Sequence, residues 1–273
     1  MIELLLLFIV GGFSPLGVIV GARYIAARQW QASLVAYKLR FPATLSVDDV
    51  TRWLAHVQAT THAPKYALLS LPPVALETVA TTQGVTTYLL VAESAKAKAL
   101  AGLRGSLPGV RLEEMPPAFA RQRPIFRVAA ELTMTNHARP LAVERSDSTA
   151  TNLLAALQPL SQDTEIHLRW IGVSAGTPSP VRSPAAGRHE GVSLLEEGLI
   201  RDAEEVRAAR LKQADPLLHA VVRVGVVSNS VSTAYALLGR VWSVFHMLNA
   251  PGVRLVPRRN CTSGLSRHSD VGQ

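Results

Sequence analysis

Pro108-Gly109-Val110-Arg111-Leu112 returns, residue for residue, as Pro251-Gly252-Val253-Arg254-Leu255. Each copy closes an Ala/Leu-rich stretch of helical spacing, and each stretch follows a run of strand-forming residues. The copies stand about one domain length apart, so the chain reads as a duplicated α/β unit. Upstream of the first copy, Ser33 to Phe41 reads as a strand. The stretch opened by Asp48-Asp49 sets Val50, Trp53, Leu54 and Val57 on one helical face, with the acidic pair at the positive end of the helix. Tyr66 to Leu71 reads as a strand stopped by Pro72-Pro73, and Thr86 to Val91 as the next. Ser94 then caps a helix through Leu107, and Pro108-Gly109 turn the chain into a strand from Val110. The order is β-α-β-β-α-β.

After a hinge containing Pro116, Pro117 and Pro124, the pattern restarts. Phe126 to Thr135 reads as a strand, Ser146 or Asp147 caps a helix through Leu160, and Glu165 to Val173 follows as a strand. The insertion 174–216 opens with a Pro/Gly-rich loop and holds one charged helix, Leu194 to Ala214. Leu217 to Ser228 is a Val-rich strand, Ser230 caps a helix through Asn249, and Val253 to Val256 closes the unit. The order is again β-α-β-β-α-β, the split-βαβ plan with both helices on one sheet face. The bare faces call for cover, either from sheet-on-sheet packing or from the charged helix.

The 273 residues carry a net charge of +8, 48% hydrophobic residues and one cysteine. That composition argues against disorder. The single cysteine, Cys261, excludes an intrachain disulfide and a Cys-based metal cage, and the charge favours an acidic partner. No charge interrupts Leu4 to Ala22. As a helix these residues would rise roughly 28 Å against about 30 Å of hydrocarbon. With Arg23, Arg28, Lys38 and Arg40 flanking its exit, the segment reads as a single-pass anchor of the inner membrane with everything downstream cytoplasmic. Trp30 fits an interfacial anchor.

The expected fold class is therefore α+β, a transmembrane helix followed by two tandem ferredoxin-like units. The parts are an anchor at 1–30, a first unit at 31–116, a second at 117–257 with its insertion at 174–216, and a disordered tail at 258–273.

The chemistry-bearing motifs are sparse. Gly172-Val173-Ser174-Ala175-Gly176 matches the G-x-S-x-G elbow, but Thr177-Pro178-Ser179-Pro180 cannot begin the helix that motif needs, and His189 and Asp202 have no fixed relation to it. The eight histidines form no H-x₃-H or H-E-x-x-H pair, no P-loop occurs, and neither metal nor cofactor is expected. His167 and His219 read as packed or edge residues, Trp170 and Trp242 as core. Tyr88 is the one aromatic on the candidate central strands, against base stacking of the kind an RNA-recognition sheet uses. Arg121, Arg123, Arg254, Arg258 and Arg259 form the local basic clusters, candidates for phosphate or partner contacts.

An apolar leader, a basic exit, tandem α/β units and the step Leu248-Asn249-Ala250-Pro251-Gly252-Val253-Arg254-Leu255 together resemble the pre-motor region of actinobacterial conjugative coupling ATPases, relatives of type IV secretion coupling proteins. The resemblance implies a membrane-anchored, cytoplasm-facing assembly and recruitment module of a DNA-transfer apparatus. Its partners would be other secretion components, a separate motor ATPase, DNA and further copies of itself. The Walker A motif of that family has no counterpart here, so the expected module is not an enzyme. A second function class, a basic membrane-associated nucleic-acid-binding protein, stands beside it.

Overall fold

The computed structural model describes residues 21–22, 24–62, 72–121, 124–137, 139–176, 203–213 and 216–258. Helix α1 (24–32) leads into β1 (Leu34–Arg40), α2 (Val47–Thr60), β2 (Val74–Thr81), β3 (Gly84–Ala92), α3 (Lys96–Ser106) and β4 (Arg111–Glu114). A short helix α4 (Pro117–Arg121) crosses to β5 (Val128–Met134), α5 (Ser146–Leu157), β6 (Glu165–Ser174), α6 (Ala203–Gln213), β7 (Leu218–Val227), α7 (Val231–Phe245) and β8 (Leu255–Arg258).

The eight strands of the described residues join one antiparallel sheet in the order β4-β1-β3-β2-β6-β7-β5-β8. This corrects the expected fold of a transmembrane helix followed by two ferredoxin-like units. The first four strands and the last four are each contiguous, but β2 pairs β6 from Val74↔Gly172 to Ala80↔Ile166 and makes one sheet of them. The physical reason lies in the edges: a four-stranded sheet leaves β2 and β6 with unpaired N–H and C=O groups, and pairing them satisfies both rows at once. Among the described residues no second sheet packs face to face on this one.

The membrane expectation is corrected as well. No helix among the described residues is long and apolar enough to cross a membrane. Residues 4–20 lie outside the described residues, and the anchor and inner-membrane placement are not carried further. Lys38 and Arg40, expected beside a bilayer, are strand residues of β1. Trp30, expected at an interface with lipid, packs beside Leu34, Ala36, Ala75 and Leu90 and donates its indole N–H to the Pro73 carbonyl at 3.2 Å.

The period of two in the strands sorts side chains to two faces. On one face, α2 and α3 bury Trp53, Val57 and Leu103 against Tyr37, Leu89 and Val91. On the same face α5 and α7 bury Leu157, Val241 and Phe245 against Ile166, Leu168 and Val224. Each such aliphatic side chain contributes roughly 1.5–3 kcal/mol on leaving water. Trp170 is a correction: it shares this face but is 47% exposed.

Local chemistry sets the element ends. Ser46 caps α2 with a full capping box to Asp49, and Ser230 caps α7. Ser94 does not cap α3; it lies in a 3-10 turn, Glu93–Ala95, that precedes the helix. Pro72-Pro73 directly precede β2, a strand absent from the expected order, and the strand expected at Tyr66 to Leu71 falls outside the described residues. The strand that follows the repeated pentapeptide's turn starts at Arg111 in the first copy and at Leu255 in the second, while the glycine takes the same φ in both copies, +79° at Gly109 and +78° at Gly252. Only glycine enters that region without a steric cost.

Candidate functional site

The sheet's reverse face carries a row of polar side chains that crosses all eight strands. Its members are mutual cross-strand partners: Glu113, Lys38, Tyr88, Glu77, Arg169, Arg223, Glu131 and Arg258, on β4, β1, β3, β2, β6, β7, β5 and β8 in turn. Register alone puts them on one line, because directly opposed residues share a face.

The row is densest at the joint of the two halves. Glu77 is 1% exposed and accepts from an Arg169 guanidinium nitrogen at 2.6 Å. His167 Nδ1 lies 3.3 Å from the same Glu77 oxygen, and its Nε2 lies 3.0 Å from Glu165 Oε2. Phe126 meets the His167 ring edge-on with centroids 5.1 Å apart. Further along, the buried Glu131 carboxylate takes Arg223 on one oxygen at 2.9 Å and Arg258 on the other at 3.2 Å. Glu77 and Arg169 are both largely buried, so removing Arg169 would strand a charge in low dielectric, whereas the Arg223 and Arg258 side chains on Glu131 are 35% and 68% exposed. Toward β1, Tyr88 stacks obliquely on Phe119 at 4.7 Å between centroids. Burial, and then the Glu77 charge, push the Tyr88 phenol up.

A second polar group gathers on the helix-bearing side. Lys96 Nζ lies 3.0 Å from Glu114 Oε1 and 5.7 Å from the centre of the Tyr37 ring. Burial raises the Tyr37 phenol. The phenol and then Glu114 raise the Lys96 ammonium, and Lys96 in turn lowers Glu114.

The residues singled out by sequence are dispersed. Lys38 belongs to the row and Arg40 lies two residues along the same strand; Arg258 is the row's far end. Arg254 is exposed, and its backbone N–H donates to Thr135 Oγ1 at 3.0 Å. Arg28 reaches the Tyr24 hydroxyl at 2.9 Å. Arg121 ends α4, while Arg23, Arg123 and Arg259 lie outside the described residues. Glu77, Glu131, His167, Arg169 and Arg223 were not picked out as a site. Their signal was a lone charge in the middle of an apolar strand, as in V-A-L-E-T-V-A-T and L-H-A-V-V-R-V-G-V-V.

The G-x-S-x-G segment ends β6. Ser174 Oγ accepts from the Gly176 N–H at 3.2 Å and lies 3.3 Å from His62 Nδ1. Among the described residues no carboxylate orients His62, and no helix starts at Ser174, so the parts of an acyl-transfer site do not come together there. Among the described residues no group of three or more His, Cys, Asp or Glu side chains could hold a metal. The two carboxylates at His167 approach opposite ring nitrogens and do not converge on one point.

No protein-family model matches this chain, and no curated protein matches it. Among solved structures it is similar to aclacinomycin oxidoreductase, with a TM-score of 0.37 and 11% identity. It is also similar to CrmK, a flavoenzyme involved in the shunt product recycling mechanism in caerulomycin biosynthesis, with a TM-score of 0.34 and 10% identity. Each alignment covers 79% of this chain and 41% of the other, so the chain spans well under half the length of either. Likeness at this level carries no argument about chemistry. No conjugation or secretion component is among these matches, and the conjugation, type IV secretion and DNA-transfer expectations are withdrawn.

Proposed function

We propose that the chain is a non-catalytic assembly and recruitment module that holds partner proteins against the reverse face of its sheet. The observation that carries this reading is the eight-residue row, in which both signs of charge are fixed in register; Glu113 and Arg258 at its ends are exposed, Arg223 partly so, and Glu77, Arg169 and Glu131 anchor it from below the surface. Lys38, Arg169, Arg223 and Arg258 face Glu113, Glu77 and Glu131 along it. A mixed row of this kind suits a protein face of complementary pattern, where charge sets register and excludes wrong partners. Buried pairing at Glu77 and Glu131 keeps the platform from rearranging, and preorganisation lowers the cost of binding. A second copy of the chain fits as partner.

The test is chemical cross-linking in native cells followed by purification of the full chain, beside an Arg258→Glu variant. A discrete complex that is larger than the 29.4 kDa chain and is lost in the variant supports the reading. A chain that stays at its own mass in both preparations contradicts it.

A further inference from the structure

We propose that Lys38, Arg40 and Arg111, at the β4–β1 edge of the reverse face, form a binding site for the phosphate backbone of single-stranded nucleic acid. Arg40 and Arg111 are direct cross-strand partners. Like charges so placed repel and destabilise a strand pair. Lys38 lies two residues before Arg40, and these side chains with Leu112 and Glu113 line an open cleft of about 170 Å³. Glu113 is the one carboxylate in it, 3.9 Å from Arg40. Among the described residues neither the Lys38 nor the Arg111 side chain has a hydrogen bond or ion pair. Three cations therefore face one anion, and an incoming anion offsets the repulsion that the register builds in.

The chemistry selects phosphate chains. Guanidinium forks donate paired N–H groups to phosphate oxygens. Residues two apart on a strand lie roughly 7 Å from each other, so Lys38 and Arg40 reach successive charges along a chain better than a single carboxylate. Tyr88 is the cross-strand partner of Lys38 and carries Phe119 against it, which places a partly buried aromatic pair beside the cations. Aromatic rings next to a cationic groove are how sequence-tolerant single-strand binders take bases. The sequence showed only Tyr88; Phe119 comes from α4 and joins it through the fold. An acidic peptide brings charge but nothing for the rings. The proposal does not rest on the protein-docking reading, since the purified chain alone either binds or does not.

The experiment is fluorescence anisotropy of a labelled oligothymidine strand with the full chain across a salt series. For three phosphate contacts, log K is expected to fall with log salt at a slope of about −2, and Arg40→Ala/Arg111→Ala is expected to bring it to about −0.7. Arg104→Ala, which removes a charge from the helix layer, leaves the slope unchanged. Circular dichroism checks folding. Arginine-selective labelling of the wild-type chain, with and without the strand, gives a second readout in which Arg40 and Arg111 become protected. Absence of binding at low salt, an unchanged slope in the folded double variant, or unprotected Arg40 and Arg111 overturns the proposal. So does competition by polyglutamate as strong as that by unlabelled strand at equal charge.

Discussion

Glu77 sits almost without solvent between Arg169 and His167, at the seam where the two halves meet. Arg169→Ala leaves that carboxylate buried against a weaker partner, and a loss of about 3–5 kcal/mol in denaturant unfolding is expected. Replacing the pair together, Glu77→Leu with Arg169→Met, is expected to cost far less, because no charge is left behind. The comparison separates a stranded charge from lost packing. At the pentapeptide turns, Gly252→Ala forces a side chain to φ near +78° and is expected to cost about 1–2 kcal/mol. Gly109→Ala, whose added methyl would meet only Pro42 at 3.5 Å, reports the backbone cost alone, and Gly252→Ala should cost at least as much in midpoint shift, because its methyl would also press on the Arg139 side chain at 2.9–3.1 Å. That glycine pair was legible in the sequence as a repeat. The Glu77 environment was not, since Arg169 lies 92 residues away and only the β2–β6 register brings it near.

At the scale of elements, the capping box of α2 gives a prediction with a sign. Ser46 hydrogen bonds, followed by the Arg52 charge, hold the Asp49 carboxyl below its ordinary range. Lys96 does the same for Glu114. A carboxyl lowered in the folded state adds stability that is complete above its unfolded value and disappears as pH falls through the folded one. The melting temperature is thus expected to drop below about pH 4, and the drop should be shallower in Ser46→Ala and in Lys96→Met. Profiles that stay parallel to wild type would count against these two contacts. At neutral pH, Ser46→Ala should cost about 1 kcal/mol, read as faster amide exchange in the first turn of α2. Element type was largely readable from periodicity, as for α2, β3 and β7. Strand β2 itself was missed, because a double proline can introduce a strand as well as end one. The short helix α4 was missed within a proline-rich stretch that reads as a hinge. Its Phe119 and Ala120 nevertheless cover Leu34, Ala36 and Leu90 on the reverse face.

At the scale of the molecule, the β2–β6 pairing turns two βαββαβ stretches into a single body. The outer strands β4 and β8 are four residues each, charged, and in β8 interrupted by Pro257, which blunts the free edges against unwanted strand pairing. On the proposed reading, partner contacts fall to the charged reverse face. Joining of the inner edges was out of reach of a sequence reading: each strand's alternation states which side is buried, but not which neighbour lies beyond β2. The direct test is an engineered disulfide between cross-strand partners, Ala75→Cys with Ile171→Cys, in a chain whose Cys261 is replaced by serine. One continuous sheet places these residues within bonding reach and predicts a near-complete intramolecular cross-link, unchanged circular dichroism and a raised melting temperature. Two thiols that stay free under oxidation in the folded chain, or that link only between molecules, would contradict the joined sheet and the platform built on it.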